Sequence, residues 1–308
     1  MLSASVLDVG HGNSTVLHCA NEVVVVDAAR TAVLLDYLSV AGITEIDALI
    51  VSHADADHVG GLVGVFSADA VSIKHLYVNP DAAKLSATWE DFRYAARDYS
   101  LRREHSLHTS IHSGDPGTLD FPGITLHILS PDAAVALSGV GHSERGHTVT
   151  ANDHTVVVQV VAFGRNVMLL LGDVTPWAWN MIEARGWDLR ADVAVLPHHG
   201  GSFGEADEVD ALLATIAPQY AVASNGRGRH DNPRESVVRR VRSRGAQMIC
   251  TQLSARCGDQ GGEDDTAGAA CAGTITFEFE ESRTVFQGET RHREFVDLIR
   301  GGPLCRRT

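Results

Sequence analysis

The stretch Ala48-Leu49-Ile50-Val51-Ser52-His53-Ala54-Asp55-Ala56-Asp57-His58-Val59-Gly60-Gly61 decides how this chain is read. Residues 48–52 form a continuous apolar run of strand length, the pattern of a strand covered on both faces. Four potential metal ligands, His53, Asp55, Asp57 and His58, then fall within six residues. In a tight loop after a strand such side chains converge on a small volume. Unpaired, the two carboxylates would repel each other and drive one pKa up, a penalty that a cation removes. Two imidazoles with two carboxylates suit Zn²⁺, Mn²⁺ or Fe²⁺. The end of a buried strand is also where open α/β architectures place their chemistry.

Two later stretches repeat the arrangement of apolar strand followed by ligand types. Leu169-Leu170-Leu171-Gly172 leads to Asp173, and Val195-Leu196-Pro197 leads to His198-His199-Gly200. Taken alone each is weak. A strand-terminal Asp is also a common helix N-cap, which Pro176 downstream would fit. Two adjacent histidines point in different directions, so one can ligate while the other serves the substrate.

Around these motifs the chain alternates short strands and helices. Strands are expected at 3–7, 14–18, 22–26, 48–52, 75–78, 125–129, 155–163, 167–171, 193–196, 220–223, 248–251, 273–279 and 283–286. Helices are expected at 32–41, 81–107, 176–185, 206–215 and 234–244. Two rounds of strands followed by helices, with no linker between them, suggest two sheets packed face to face with helices outside. Residues 1–300 are expected as one domain, with 258–273 a mobile Gly/Asp-rich loop and 301–308 a tail.

The chain has 308 residues, 44% of them apolar, and a formal net charge of −14. That composition excludes a mainly disordered, collagen-like or coiled-coil protein. The acidic excess opposes tight nonspecific binding to duplex DNA or an anionic membrane, so a phosphate-bearing substrate needs a local positive centre. Lys74 and Lys84 are the only lysines. Seven arginines between Arg227 and Arg244, against Asp231 and Glu235, mark one basic helix. Residues 93–108 form a second basic stretch, with aromatics that read as a core stripe rather than a base-stacking platform. The five cysteines, Cys19, Cys250, Cys257, Cys271 and Cys305, contain no CxxC pair and form no disulfide framework. A bridge between Cys257 and Cys271 stays open, though buried thiols are commoner. Residues 1–12 lack a signal-peptide pattern and no stretch is long and apolar enough to span a bilayer, so the expected compartment is the cytoplasm and no membrane partner is expected.

HxDxDH, then GD, then HHG, each after a buried strand, resembles the metallo-β-lactamase superfamily. More closely, the chain resembles the soluble hydrolase domain of competence-type (ComEC-like) DNA-uptake proteins. Asp8-Val9-Gly10-His11-Gly12-Asn13, Val26-Asp27-Ala28, Asn152-Asp153-His154-Thr155 and Ser224-Asn225-Gly226-Arg227-Gly228 also carry the likeness, over residues 3 to 255. The resemblance implies an α/β fold of the αββα sandwich type, with one or two divalent ions, Zn²⁺ or Mn²⁺, at its upper edge. By the same resemblance His53 and Asp55 would hold one ion, Asp57 and His58 the second, Asp173 would bridge them, His198 would complete the set, and Asp27 would support the ligand loop. Asn152, His154 and His147 compete as the upstream ligand. Asn225 and Arg227 are candidate substrate contacts. His230 stands near where the branch usually carries a His-Pro and this chain reads Asn232-Pro233. Asp55 departs from the more frequent histidine and favours a harder metal.

The implied chemistry is hydrolysis of a phosphodiester by metal-activated water, oriented by Asp57, with His199, His230 or His154 protonating the leaving oxygen. Single-stranded DNA and a small nucleotide are the candidate substrates. Two rivals remain open: a hydrolase of lactones, thioesters or β-lactams, and a metal-containing regulatory module of a larger complex, with a protein partner or a second copy of itself.

Overall fold

A computed structural model describes residues 2–114, 118–228, 230–258, 270–299 and 302–306. The chain opens with the antiparallel meander β1 (Leu2–Val6), β2 (Thr15–Cys19) and β3 (Glu22–Val26). It continues through α1 (Val33–Val40), β4 (Glu45–Val51), the short helices α2 (Ala56–Val59) and α3 (Leu62–Ser67), β5 (Ser72–Val78), α4 (Ala87–Arg102) and β6 (Ser106–His108). β3, β4, β5 and β6 are parallel neighbours.

The second half contains β7 (Thr118–Phe121), β8 (Ile124–Ser130), α5 (Ala133–Ser138), a small hairpin of β9 (Ser143–Glu144) and β10 (His147–Thr148), then β11 (Val157–Ala162) and β12 (Arg165–Leu170). α6 (Pro176–Glu183), β13 (Val193–Val195), a 3₁₀ turn at Pro197–Gly200, α7 (Ala206–Ile216), β14 (Tyr220–Ala223), α8 (Glu235–Ser243) and β15 (Gln247–Cys250) follow. The chain then returns to the first sheet with β16 (Ile275–Phe279) and β17 (Thr284–Phe286), and ends in α9 (Glu289–Leu298) and a 3₁₀ turn at Leu304–Arg306.

The strands form an eight-stranded sheet, β17-β16-β1-β2-β3-β4-β5-β6, and a seven-stranded sheet, β15-β14-β13-β12-β11-β8-β7. Period-two alternation sorts their apolar residues into layers. Val24, Val26, Ala48 and Ile50 face the inter-sheet core with Met168, Leu170, Val193 and Val222. Val25, Leu49 and Val51 face α1, α3 and α4 on one outside, and Leu169, Leu171 and Ala194 face α6, α7 and α8 on the other. This is the αββα sandwich of mixed sheets that the sequence implied. Runs such as Val23–Val26 are apolar throughout because both faces are covered.

The helix expected over 81–107 is shorter at both ends. Asp81 Oδ1 accepts the backbone N–H groups of Ala83 and Lys84 and holds a turn, and Ser86 caps α4 through the Trp89 N–H. Beyond α4 the chain re-enters the sheet as β6. Trp89, Phe92 and Tyr99 pack around Phe66 in the core, so they are not available to stack on bases. All five cysteines are free thiols, and the Cys257–Cys271 bridge is not formed. Most of the loop expected at 258–273 lies outside the described residues. The expected tail at 301–308 docks through Leu304, which is buried against the second sheet's outer layer. Among the described residues no helix is long and apolar enough to cross a membrane.

The parallel strands β3 and β4, and β12, β13 and β14, deliver their C-terminal ends to one edge of the sandwich. The loops there are locked together by backbone hydrogen bonds: Asn13 N–H to Asp57 O, Ala28 N–H to His58 O, Gly61 N–H to Ala28 O and Val156 N–H to Ser52 O. Gly61 is required by this approach, because a Cβ there would lie 2.3 Å from the carbonyl oxygen of Ala29. Gly61→Ala is expected to lower unfolding stability by about 1–3 kcal/mol through forced displacement of that backbone. Urea denaturation checks this, and an unchanged midpoint would contradict the packing described.

Candidate metal centre

Asp27 follows β3 in a left-handed backbone conformation (φ 63°) and is almost fully buried. Its carboxylate accepts three hydrogen bonds, from the Ser52 N–H (2.7 Å), the Ser52 hydroxyl (2.8 Å) and the His58 Nδ1–H (2.8 Å). The last bond fixes the His58 ring so that Nε2 points at Asp173 Oδ1, 3.4 Å away. A carboxylate that orients a histidine through its remote nitrogen is the usual support of a metal-ligating imidazole. His53 is held in the same way by hydroxyls, with Nδ1 at 3.0 Å from Thr155 Oγ1 and 3.1 Å from Ser52 Oγ. Its Nε2 lies 3.9 Å from Asp173 Oδ2.

His53, His58 and Asp173 thus form one buried group whose ligand atoms lie within 4.8 Å of one another. A second group abuts it. Asp57 Oδ2 is 3.3 Å from both His11 Nε2 and His199 Nε2, and His199 Nε2 is 3.7 Å from Asp173 Oδ1. Asp173 therefore touches histidines of both groups. The grouping differs from the one implied by the resemblance: Asp57 and His58 fall into different groups, and Asp55 into neither. Asp55 Oδ2 is 4.0 Å from His53 Nε2, but Oδ1 pairs with the Lys84 ammonium, which the Asp81 turn presents.

In the His198-His199 pair it is His199 that enters the second group. Both residues take left-handed backbone (φ 50° and 57°), which turns the buried His199 ring inward and leaves His198 Nδ1 at 3.5 Å from Asp173 Oδ2 on the rim. His154 is buried but belongs to neither group, and Asn152 lies in the turn ahead of it. Asn225 is a brace: its side-chain amide donates to Asn232 O, while the neighbouring Ser224 hydroxyl donates to Gly12 O. Arg227 donates its backbone N–H to Gln252 Oε1. His230 is exposed at the mouth, with its ring centroid 4.5 Å from that of His11. The site residues that sequence reasoning left without a role are His11, Lys84 and Arg30. An imidazole between Gly10 and Gly12, just past a strand, was the available signal for His11. Nothing local marked the other two.

The charge states follow from burial and these contacts. Burial, helped by the charge of His58, pushes the His53 pKa down to about 4, so the ring is neutral near pH 7. Burial also opposes the charge on His58, but Asp27 and Asp173 outweigh it and hold its pKa well above the ordinary value. Burial likewise opposes ionisation of Asp57 and Asp173. For Asp57 the facing His11 and His199 imidazoles prevail, and for Asp173 the charge of His58 with the contact from His198; both carboxyls stay far below the usual range. His199 is lowered, burial outweighing Asp57 and Asp173.

His53 Nε2, His58 Nε2, His199 Nε2 and Asp173 Oδ1 are buried without a hydrogen-bond partner. Leaving one such atom unsatisfied costs about 1–3 kcal/mol, and four facing one small volume fit divalent cation binding. An open cavity of about 480 Å³ adjoins the second group, lined by His11, Asp57, Arg30, Thr31 and His230.

The family model of the metallo-β-lactamase superfamily matches residues 7–214. The chain belongs to the metallo-β-lactamase superfamily. It is 27% identical over 258 residues to competence protein ComA of Neisseria gonorrhoeae, covering 82% of this chain and 31% of that protein. It is 24% identical to ComE operon protein 3 of Bacillus subtilis, covering 71% and 25%, and 27% identical to recombination protein 2 of Haemophilus influenzae, covering 72% and 24%. The chain thus spans about a quarter to a third of the length of these relatives. Among solved structures, a diphosphatase from the PhnP family superposes with a TM-score of 0.50 at 15% identity, over 90% of this chain and 98% of its own. A metal-dependent hydrolase, Tm1679, gives 0.50 at 14% identity, over 81% and 96%.

Asp27→Asn puts an amide where Ser52 and His58 both donate. It is expected to weaken divalent-cation binding by about 10–100-fold, read by metal titration of chelator-treated protein. Because a ligating imidazole must be unprotonated at the metal and His58 holds its proton strongly, cation uptake near neutral pH is expected to release protons. Calorimetric heats that do not vary with the buffer's ionisation enthalpy would contradict this.

Proposed function

We propose that this member of a superfamily of metal-dependent hydrolases cleaves a phosphodiester, with a DNA strand or a small nucleotide as substrate. The observation that carries the reading is the pair of buried His/Asp groups opening onto a cavity whose permanent positive charge, among its described lining residues, is Arg30. An anionic substrate suits that cavity better than a neutral lactone or thioester does. The competence proteins among the relatives support a DNA substrate.

In this reading His53, His58 and Asp173 would hold one ion, and His11, Asp57 and His199 a second. A divalent ion bound there supplies positive charge to a phosphoryl oxygen and acidity to a water molecule. Asp57, kept ionised by His11 and His199, would orient the attacking water by accepting a hydrogen bond from it. Arg30 binds a non-bridging phosphate oxygen. His230, exposed beside His11, delivers a proton to the leaving oxygen. Lys84 neutralises Asp55 and confines the carboxylate at the edge of the first group.

The basic helix α8 has a smaller part than its charge implied. Arg240 and Arg244 pair with Asp210 of α7, and α8 runs from Pro233 beside Gly200 towards the opposite edge of the sheet. Substitution of Arg240 is therefore expected to leave turnover unchanged.

Hydrolysis of single-stranded DNA, duplex DNA, RNA and cyclic nucleotides with added Mn²⁺ or Zn²⁺ tests the proposal. Asp57→Asn is expected to lower kcat by about 10²–10⁴-fold, and Arg30→Ala to raise KM more than it lowers kcat. Equal cleavage by wild type and Asp57→Asn would sink the site assignment. Turnover of an uncharged acyl substrate, indifferent to Arg30, would sink the phosphodiester reading.

A further inference from the structure

Four of the five cysteines come together, although they are spread over the last fifth of the chain. Cys250 ends β15, Cys257 lies in the following turn, Cys271 lies just ahead of β16, and Cys305 sits in the C-terminal 3₁₀ turn. All four line one small enclosed cavity of about 10 Å³, the size of a single water or a bare ion. Every pair of them is close enough for the charge on one sulfur to act on the other. No S–S bond joins them.

The four thiols pack at the edge of the second sheet's outer apolar layer, where a few polar groups join them. Cys257 Sγ accepts the Leu304 backbone N–H at 3.4 Å. His292 lines the same cavity and is buried, with Nε2 3.5 Å from Cys271 Sγ and Nδ1 without a hydrogen-bond partner. Arg242 and Arg306 act on Cys305 from the neighbouring cavity, which they line with His292. Burial keeps the Cys250, Cys271 and Cys305 thiols protonated, so a divalent cation must displace those protons, and the Arg242 and Arg306 charges beside Cys305 would offset part of the net charge of about −2 of a four-thiolate site.

We propose that Cys250, Cys257, Cys271 and Cys305 bind one soft divalent cation of the Zn²⁺ class, apart from the His/Asp groups, with His292 beside them. Among the described residues the sulfurs stand further apart than the ligand atoms at the strand-end edge. Binding therefore requires the cation to draw them in, and Cys257 and Cys271 stand outside the strands and helices. Binding ties β15 of the second sheet to the chain entering β16 of the first, and anchors the C-terminal turn over both. Gln252, also on this cavity, accepts the Arg227 N–H and donates to Asp8, so the staple bears on the strap that braces the His11 loop.

Cobalt(II) titration of the whole chelator-treated protein, kept reduced, distinguishes the two kinds of site. Ligation by thiolates gives an intense near-ultraviolet sulfur-to-metal charge-transfer band that imidazoles and carboxylates cannot give. The expected result is such a band, saturating at one equivalent per chain and abolished by one equivalent of Zn²⁺ in competition. Cys250→Ser with Cys305→Ser is expected to remove the band and one equivalent of bound zinc while the ion at His53, His58 and Asp173 is retained. Absence of the band in reduced wild-type protein would overturn the proposal even if the double variant does not fold. So would disulfides among these cysteines in metal-replete protein, read as mass loss after alkylation.

Discussion

The carboxylate of Asp27 is the contact on which the functional edge depends. It stands at the end of β3, takes both donors of Ser52 at the end of β4, and takes the Nδ1 proton of His58 from the helix beyond. One buried group therefore sets the relative position of two parallel strands and the direction of a histidine ring. A buried carboxylate is tolerable only when its acceptors are filled, and here three donors fill them. Losing any of these donors would leave a buried charge unsatisfied as well as free the ring.

The same logic extends outward. Three side chains at the site are held from behind: His53 by Thr155 and Ser52, His58 by Asp27, Asp55 by Lys84. The backbone loops are held by one another, and glycines at positions such as 12 and 61 let them touch, since a Cβ at Gly12 would lie 2.5 Å from Asp57 O. His53 Nε2, His58 Nε2, His199 Nε2 and Asp173 Oδ1, all unsatisfied, face the space where an ion fits. A rigid rear and an unsatisfied front are what a preorganised cation site requires, because the cost of assembling the donors is met on folding. The superfamily's hydrolytic chemistry follows from such a site, and the cavity with Arg30 adds a reason for an anionic substrate.

Much of the fold was legible because both faces of each sheet are covered. Coverage makes strands such as β3, β4 and β12 continuously apolar, and each ends abruptly in polar residues, so the strand ends and the ligand types beside them stand out. The helix at 81–107 was overread because its periodicity continues through residues whose side chains choose otherwise: Asp81 folds its own turn, and Ser86 starts the helix later. α3, α5 and the β9–β10 hairpin were missed as pieces of six residues or fewer, too short to show a period.

The sequence by itself determined the layered sandwich and the kind of chemistry, since alternation, strand-end position and the mixture of imidazole with carboxylate are local properties. Only the tertiary structure decided which ligands share a group. Local spacing cannot tell that His199 rather than His198 turns inward, because that depends on two successive left-handed residues. Nor can it tell that Lys84 claims Asp55, that His11 joins Asp57 across the chain, or that four separated thiols line one cavity. These are contacts between segments far apart in the chain, and their partners are fixed by packing rather than by neighbouring residues.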